Sequence, residues 1–75
     1  MSDVEFFLGI ARALMPNLDK TAVFINRVFA ETTDQRLRFL LQPAIEAIEM
    51  RDPEAAAKWL DRAILYDQSR RRPSG

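Results

Sequence analysis

The chain has 75 residues, contains neither cysteine nor histidine, and balances eleven basic side chains against eleven acidic ones. Without cysteine it has no disulfide and no thiolate, and without histidine it lacks the commonest general base and metal-ligating side chain. The zero net charge is typical neither of a nucleic-acid-binding protein nor of an acidic mimic of DNA. We therefore expect no metal, no cofactor and no enzymatic activity.

Hydrophobic residues make up 48% of the chain, which predicts one folded domain rather than a disordered segment. No apolar run approaches the roughly 20 residues that span a bilayer, and the first helix lacks the basic polar face that anionic lipids select, so we expect no membrane contact. The acidic first residues differ from the basic start of a signal peptide, which favours the cytoplasm. We place the helical domain at residues 1–68 and a flexible arginine-rich tail at residues 69–75.

The first amphipathic stretch predicts a helix from Asp3 to about Met15, with Ser2 and Glu5 spaced as a capping box. An apolar stripe at helical spacing covers one side: Val4, Phe7, Leu8, Ala11, Leu14 and Met15. Another apolar set widens this surface beyond one stripe: Phe6, Ile10 and Ala13. A helix that is apolar nearly all round is buried on more than one side.

Gly9 lies inside this helix, where a glycine costs about 1 kcal/mol relative to alanine. Because it precedes Ala13 by four residues, the two small side chains would let another helix approach closely. Two interpretations remain open. In the first, Gly9 allows a tight helix crossing within the monomer or is merely tolerated there. In the second, Gly9 lies at a subunit interface. The second predicts a symmetric dimer, the commonest oligomer, formed through Phe6, Gly9, Ile10 and Ala13.

Residues 18–31 predict a second helix, for which Asp19 is the candidate N-cap. The third segment begins at Thr32 and Gln35, spaced as a capping box, and contains Pro43, which should kink the helix or split it. Its apolar stripe comprises Leu37, Leu40, Leu41, Ala44, Ile45 and Ile48.

Asp52 and Pro53 have the residue types of an N-cap and a first helical position, and therefore predict the start of another helix. An apolar stripe follows: Ala56, Trp59, Leu60, Ala63 and Ile64. The opposite face is charged: Lys58, Asp61, Arg62 and Asp67. Residues 32–68 therefore predict an antiparallel hairpin within an all-α bundle of three to four short helices.

The segment AIEAIEMRDPEAAAKWLDRAI, residues 44–64, resembles the helical hairpins of tetratricopeptide-type repeats. It is also similar to the last helices of the ligand-binding domain in a large class of bacterial GntR-type regulators. The metal-binding histidines of that regulator domain have no counterpart here. We interpret the likeness as convergence on a stable helical hairpin.

Surplus aromatic residues favour protein binding, because tyrosine, tryptophan and arginine often dominate interfaces. Trp59 is expected in the core, whereas Phe39 lies off its helix's apolar stripe and Tyr66 lies near a helix end. The predicted partner-binding residues are Phe39, Tyr66, Arg70, Arg71 and Arg72. The predicted function is a non-enzymatic protein–protein interaction module, such as an adaptor, small chaperone or inhibitor, that forms a homodimer. By analogy of size alone, such proteins are common in bacteria and phages.

Two alternatives carry less weight. In a nucleic-acid-binding regulator, arginines including Arg36 and Arg38 would contact phosphates, but the chain has no basic excess and nucleic acid is the less favoured partner. In a carboxylate-dependent enzyme, Glu46 and Glu49 would share a helical face, although a solvated outer face explains them as well.

Overall fold

The computed structural model describes residues 3–71, apart from the side chain of Arg71. This part of the chain forms four α-helices and no strand: α1 (Asp3–Ala13), α2 (Leu18–Glu31), α3 (Gln35–Glu49) and α4 (Pro53–Arg71). Each helix packs mainly on two others, in the cycle α1–α2–α3–α4–α1. The all-α prediction and its C-terminal hairpin are confirmed.

Contacts between helix ends give the directions of the helices. The Thr21 hydroxyl, early in α2, donates to the carbonyl oxygen of Ala11, late in α1, at 3.0 Å. Asp34, immediately before α3, contacts Tyr66 and Arg70 near the end of α4. Arg51, just after α3, contacts Asp19, early in α2, at 2.8 Å. Successive helices therefore run antiparallel, and α1 and α3 occupy diagonal corners of the bundle.

The core lies between the four helices and is built from the predicted stripes. Its fully buried large side chains include Leu8, Ile25, Leu37, Leu41 and Leu60. Burying one such aliphatic side chain contributes about 1.5–3 kcal/mol, and this stabilisation holds the helices at fixed positions.

Two predicted N-caps need correction. Asn17, not Asp19, caps α2, because its side-chain oxygen accepts the N–H of Lys20 at 3.2 Å. Asp34, not Thr32, caps α3, because its carboxylate accepts the N–H groups of Arg36 and Leu37. In both places the side chain immediately before the helix reaches the first free N–H groups.

The other predicted boundaries concern both ends of α1 and the start of α4. Ser2, half of the predicted capping box of α1, lies outside the described residues. The helix itself ends at Ala13 rather than at about Met15. The predicted start of α4 is confirmed, since Asp52 Oδ1 accepts the N–H of Ala55 at 3.1 Å and the helix begins at Pro53.

Pro43 does not split its helix, because α3 is continuous from Gln35 to Glu49. A proline has no N–H, so the carbonyl of Phe39 loses its partner four residues on. Phe39 is 74% exposed and lies on the outer side of α3, where water can satisfy this carbonyl. The helix can therefore continue through the proline.

The end of α4 also differs from the prediction. Asp67, expected on the outer charged face, is buried, and Arg70 contacts it at 3.3 Å. Because Arg70 also contacts Asp34, the last turn is held against α3, and the helix extends to Arg71. The rest of the predicted tail, residues 72–75, lies outside the described residues.

Candidate binding site

The residues predicted for self-association lie together on the outer side of α1. Leu8 and Ala11 occupy the inner side of this helix and are buried. The second apolar set lies away from the core: Phe6 and Ala13 are exposed and Ile10 is half-buried. With two residues of α4 it lines an open groove of about 440 Å³, whose apolar lining residues are Phe6, Gly9, Ile10, Ala13 and Ile64.

The groove is bounded by charged and polar residues. Glu5 and Gln68 line one end of it. Arg12 Nε donates to Asp61 Oδ1 at 2.8 Å and so joins α1 to α4 at the other end. Beyond this ion pair lies another shallow groove of about 290 Å³ between the same two helices, lined in part by Met15 and Pro16.

Exposed apolar side chains extend this surface. Phe6 is 56% exposed, and its ring lies 5.8 Å from that of Phe7, which packs against α2. Leu65 is 65% exposed on α4, one turn beyond Asp61. We call Phe6, Gly9, Ile10, Ala13, Ile64 and Leu65 the α1–α4 face.

Leu65 was not predicted as part of the site. The apolar stripe of α4 assigned its neighbours to the core and left this residue unassigned. Its position four residues after Asp61 was the available signal, because residues four apart share a helical face and Asp61 was predicted to face outward.

Two predicted partner-binding residues contact other parts of this chain. The Tyr66 hydroxyl donates to Asp34 at 2.8 Å, and Arg70 contacts Asp34 at 2.9 Å. Arg72 and the side chain of Arg71 lie outside the described residues. Tyr66 and Arg70 thus hold the end of α4 against the start of α3.

This cluster changes the acidity of its members. Burial acts to raise the pKa of the Asp34 carboxyl, but the hydrogen bonds from Tyr66 and Leu37, the charge of Arg70 and the N–H of Arg36 together lower that pKa below its ordinary value. The hydrogen bond to Asp34, followed by burial, raises the pKa of the Tyr66 hydroxyl. At neutral pH Asp34 is therefore ionised and Tyr66 neutral, the states in which the hydrogen bond forms.

Phe39 is exposed, as its position off the stripe predicted, but it is far from the α1–α4 face. It lies on the outer side of α3, which is diagonal to α1 in the bundle. The two predicted surfaces therefore do not form one site.

Glu46 and Glu49 are exposed on α3, and no group of three or more acidic side chains within residues 3–71 is arranged to hold a metal ion. Among the same residues, no helix combines the length and apolarity needed to cross a membrane.

Comparison with known proteins returned no match: no protein-family model matches the chain, and neither does any curated protein or solved structure. The geometry of the chain is therefore the basis for its proposed function.

Proposed function

We propose that this chain is a non-enzymatic protein–protein interaction module, an adaptor, small chaperone or inhibitor, that binds protein through the α1–α4 face. The observation that carries the proposal is the apolar outer side of α1. Contiguous exposed apolar surface on a small domain usually marks an interface, because leaving it in water is unfavourable. A helical face of this kind suits packing against another helix.

The arginines favour this function over nucleic-acid binding. Arg38 stacks on Phe29 at 4.6 Å, and Arg62 stacks on Trp59 at 4.8 Å. Arg70 is paired with two carboxylates. Much of the positive charge is therefore engaged within the chain rather than gathered on one surface for phosphate contacts.

Photo-crosslinking of the full chain in the cells that express it tests the proposal. A photo-reactive phenylalanine derivative replaces Phe6 in one variant and Val23 in the control, where the native side chain is 63% exposed on α2. A third variant carries the group in place of Phe39. We expect protein adducts from position 6 and not from position 23, and an adduct from position 39 would mark a further contact.

The products separate the alternatives. Protein adducts at position 6 that persist at high salt support a hydrophobic interface. Adducts to nucleic acid that disappear steeply with salt would support the regulator instead. Position 6 giving no protein adduct, in a chain with unchanged helical circular dichroism, would overturn the proposal.

A further inference from the structure

Gly9 has no structural role within the described chain. It lies in the middle of α1, where glycine destabilises a helix relative to alanine. Its φ is not positive, so the backbone does not require glycine there. Apart from its chain neighbours and the backbone of its own helix, a Cβ built on Gly9 meets no atom within 4 Å, so packing inside the bundle does not require glycine either. A close approach by a second molecule remains as a physical use for it.

The surface around Gly9 is self-complementary in shape when α1 is paired with an antiparallel copy of itself. The midpoint between Phe6 and Ala13 lies between Gly9 and Ile10. A two-fold axis through that point places the large side chain of Phe6 opposite the small one of Ala13, twice. Gly9 and Ile10 then lie beside the axis, where the two helices are closest.

We propose that the occupant of the α1–α4 face is a second copy of this chain. The two α1 helices pack antiparallel about a two-fold axis that passes between Gly9 and Ile10. This inference rests on the proposed function and names the partner of that same face. It gives an isologous interface, in which each copy contributes the same residues.

The charges beside the seam agree with the antiparallel direction. Glu5 and Arg12 are seven residues apart and lie on the side of α1 that faces α4. In the proposed register, Glu5 of one copy and Arg12 of the other are offset by about 3 Å along the helix axis. Arg12 can donate to both Asp61 and Glu5, because its guanidinium has several N–H groups. A parallel pairing would instead place Glu5 beside Glu5 and Arg12 beside Arg12.

Helix α4 is a poorer partner for α1 of a second copy. Its outer side carries charged residues along most of its length: Glu54, Lys58, Asp61 and Arg62. Pairing α1 with that side would remove water from these charges, and the apolar residues of α1 offer them no polar contact in exchange. Pairing α1 with α1 brings apolar surface against apolar surface, and Leu65 of each copy then lies at the edge of the seam.

The molar mass of the purified full chain over a wide concentration range tests the inference. We expect twice the 8.7 kDa of one chain, in a concentration-dependent equilibrium. Phe6→Ser and Gly9→Leu should each raise the dissociation constant by roughly 10-fold or more. The matched control, Val23→Ser, removes a similarly exposed side chain from α2 and should leave the constant unchanged.

Single cysteines test the register, because the natural chain has none. Ile10→Cys lies beside the axis and should form an intermolecular disulfide on mild oxidation. Ala13→Cys should not form one with itself, since its two copies are separated by about 10 Å along the axis. A mixture of Phe6→Cys and Ala13→Cys chains should give the mixed disulfide, identified by its mass.

Several results would overturn this inference. They are a monomeric mass at every concentration, a dimer unaffected by the Phe6 and Gly9 substitutions, and self-linking of Ala13→Cys as efficient as that of Ile10→Cys. A monomer whose position 6 still crosslinks to a different protein would refute the second copy and leave the proposed function standing. A dimer through another surface, with no adduct at position 6, would refute both.

Discussion

The hydroxyl of Tyr66 lies within hydrogen-bonding distance of both carboxylate oxygens of Asp34, at 2.8 and 3.1 Å. The same carboxylate caps α3 by accepting the N–H groups of Arg36 and Leu37. One side chain thus starts a helix and fixes the end of the helix that packs against it. The start of α3 and the end of α4 are coupled through this carboxylate.

Asp34→Asn should make stability less dependent on pH in acid. The pKa of Asp34 is lowered in the folded chain, so its charge stabilises the fold above the unfolded-state pKa. That stabilisation is lost as the pH falls through the lowered folded-state pKa. Urea unfolding between neutral pH and strong acid should show wild type more stable at neutral pH and the difference shrinking in acid. If the difference in unfolding free energy between wild type and variant stayed constant with pH, the charge of Asp34 would not stabilise the fold.

Thr21→Val should destabilise the chain by about 1 to 3 kcal/mol, because a buried acceptor loses its donor. The Ala11 carbonyl lies in the last turn of α1, and the N–H of Met15 donates to Arg12 instead of to it. The buried Thr21 hydroxyl supplies the missing hydrogen bond. The free energies of unfolding of wild type and variant, measured at the same chain concentration, test this prediction. Thr21→Ser, which keeps the hydroxyl, should lose less, and equal losses would show that packing alone matters.

The helices were predictable from the sequence because the apolar stripes and the capping residues indicate the same helix boundaries. At Asp52–Pro53, for example, the cap and the start of the stripe coincide. The sequence did not predict the caps at Asn17 and Asp34, because neighbouring Asp19 and Thr32 have equally suitable side chains and only the backbone turn decides among them. The buried position of Thr21 depends on the carbonyl of Ala11 in another helix, which a local pattern does not reveal. Asp67 is buried although Arg70, its ion-pair partner, lies only one turn further along the same helix.

The candidate site was likewise predictable from the sequence only in part. The second apolar set of α1 was visible from its spacing, so Phe6, Ile10 and Ala13 fall on one surface, together with Gly9. Tyr66 and Arg70 were predicted to contact a partner because their types are common at interfaces. Their contacts with Asp34 arise from the antiparallel packing of α3 and α4, and residue type alone carries no information about that.

Arg51→Gly should be more stable than Arg51→Ala by about 1 kcal/mol. Arg51 follows α3 with a φ of 58°, in the left-handed region that favours glycine. Its N–H donates to Ile48, and the next N–H donates to Ala47, as in a Schellman motif. Both variants lose the exposed ion pair with Asp19. The difference between their thermal unfolding therefore measures the cost of the backbone conformation at residue 51 alone. Equal stability would mean that the chain can close this turn in another conformation.

Gly9→Ala should move two measurements in opposite directions. In the dilute, monomeric chain it should raise the unfolding free energy by up to about 1 kcal/mol, because alanine is the better helix former and the new Cβ meets no neighbour within 4 Å. In the dimer the same methyl group separates the two α1 helices at their closest point, so the dissociation constant should also rise. Urea unfolding at low concentration and sedimentation at high concentration give the two values. A more stable monomer with an unchanged dissociation constant would show that glycine is only tolerated at this position. A more stable monomer with weaker association would show that α1 gives up intrinsic helix stability for close contact with its partner.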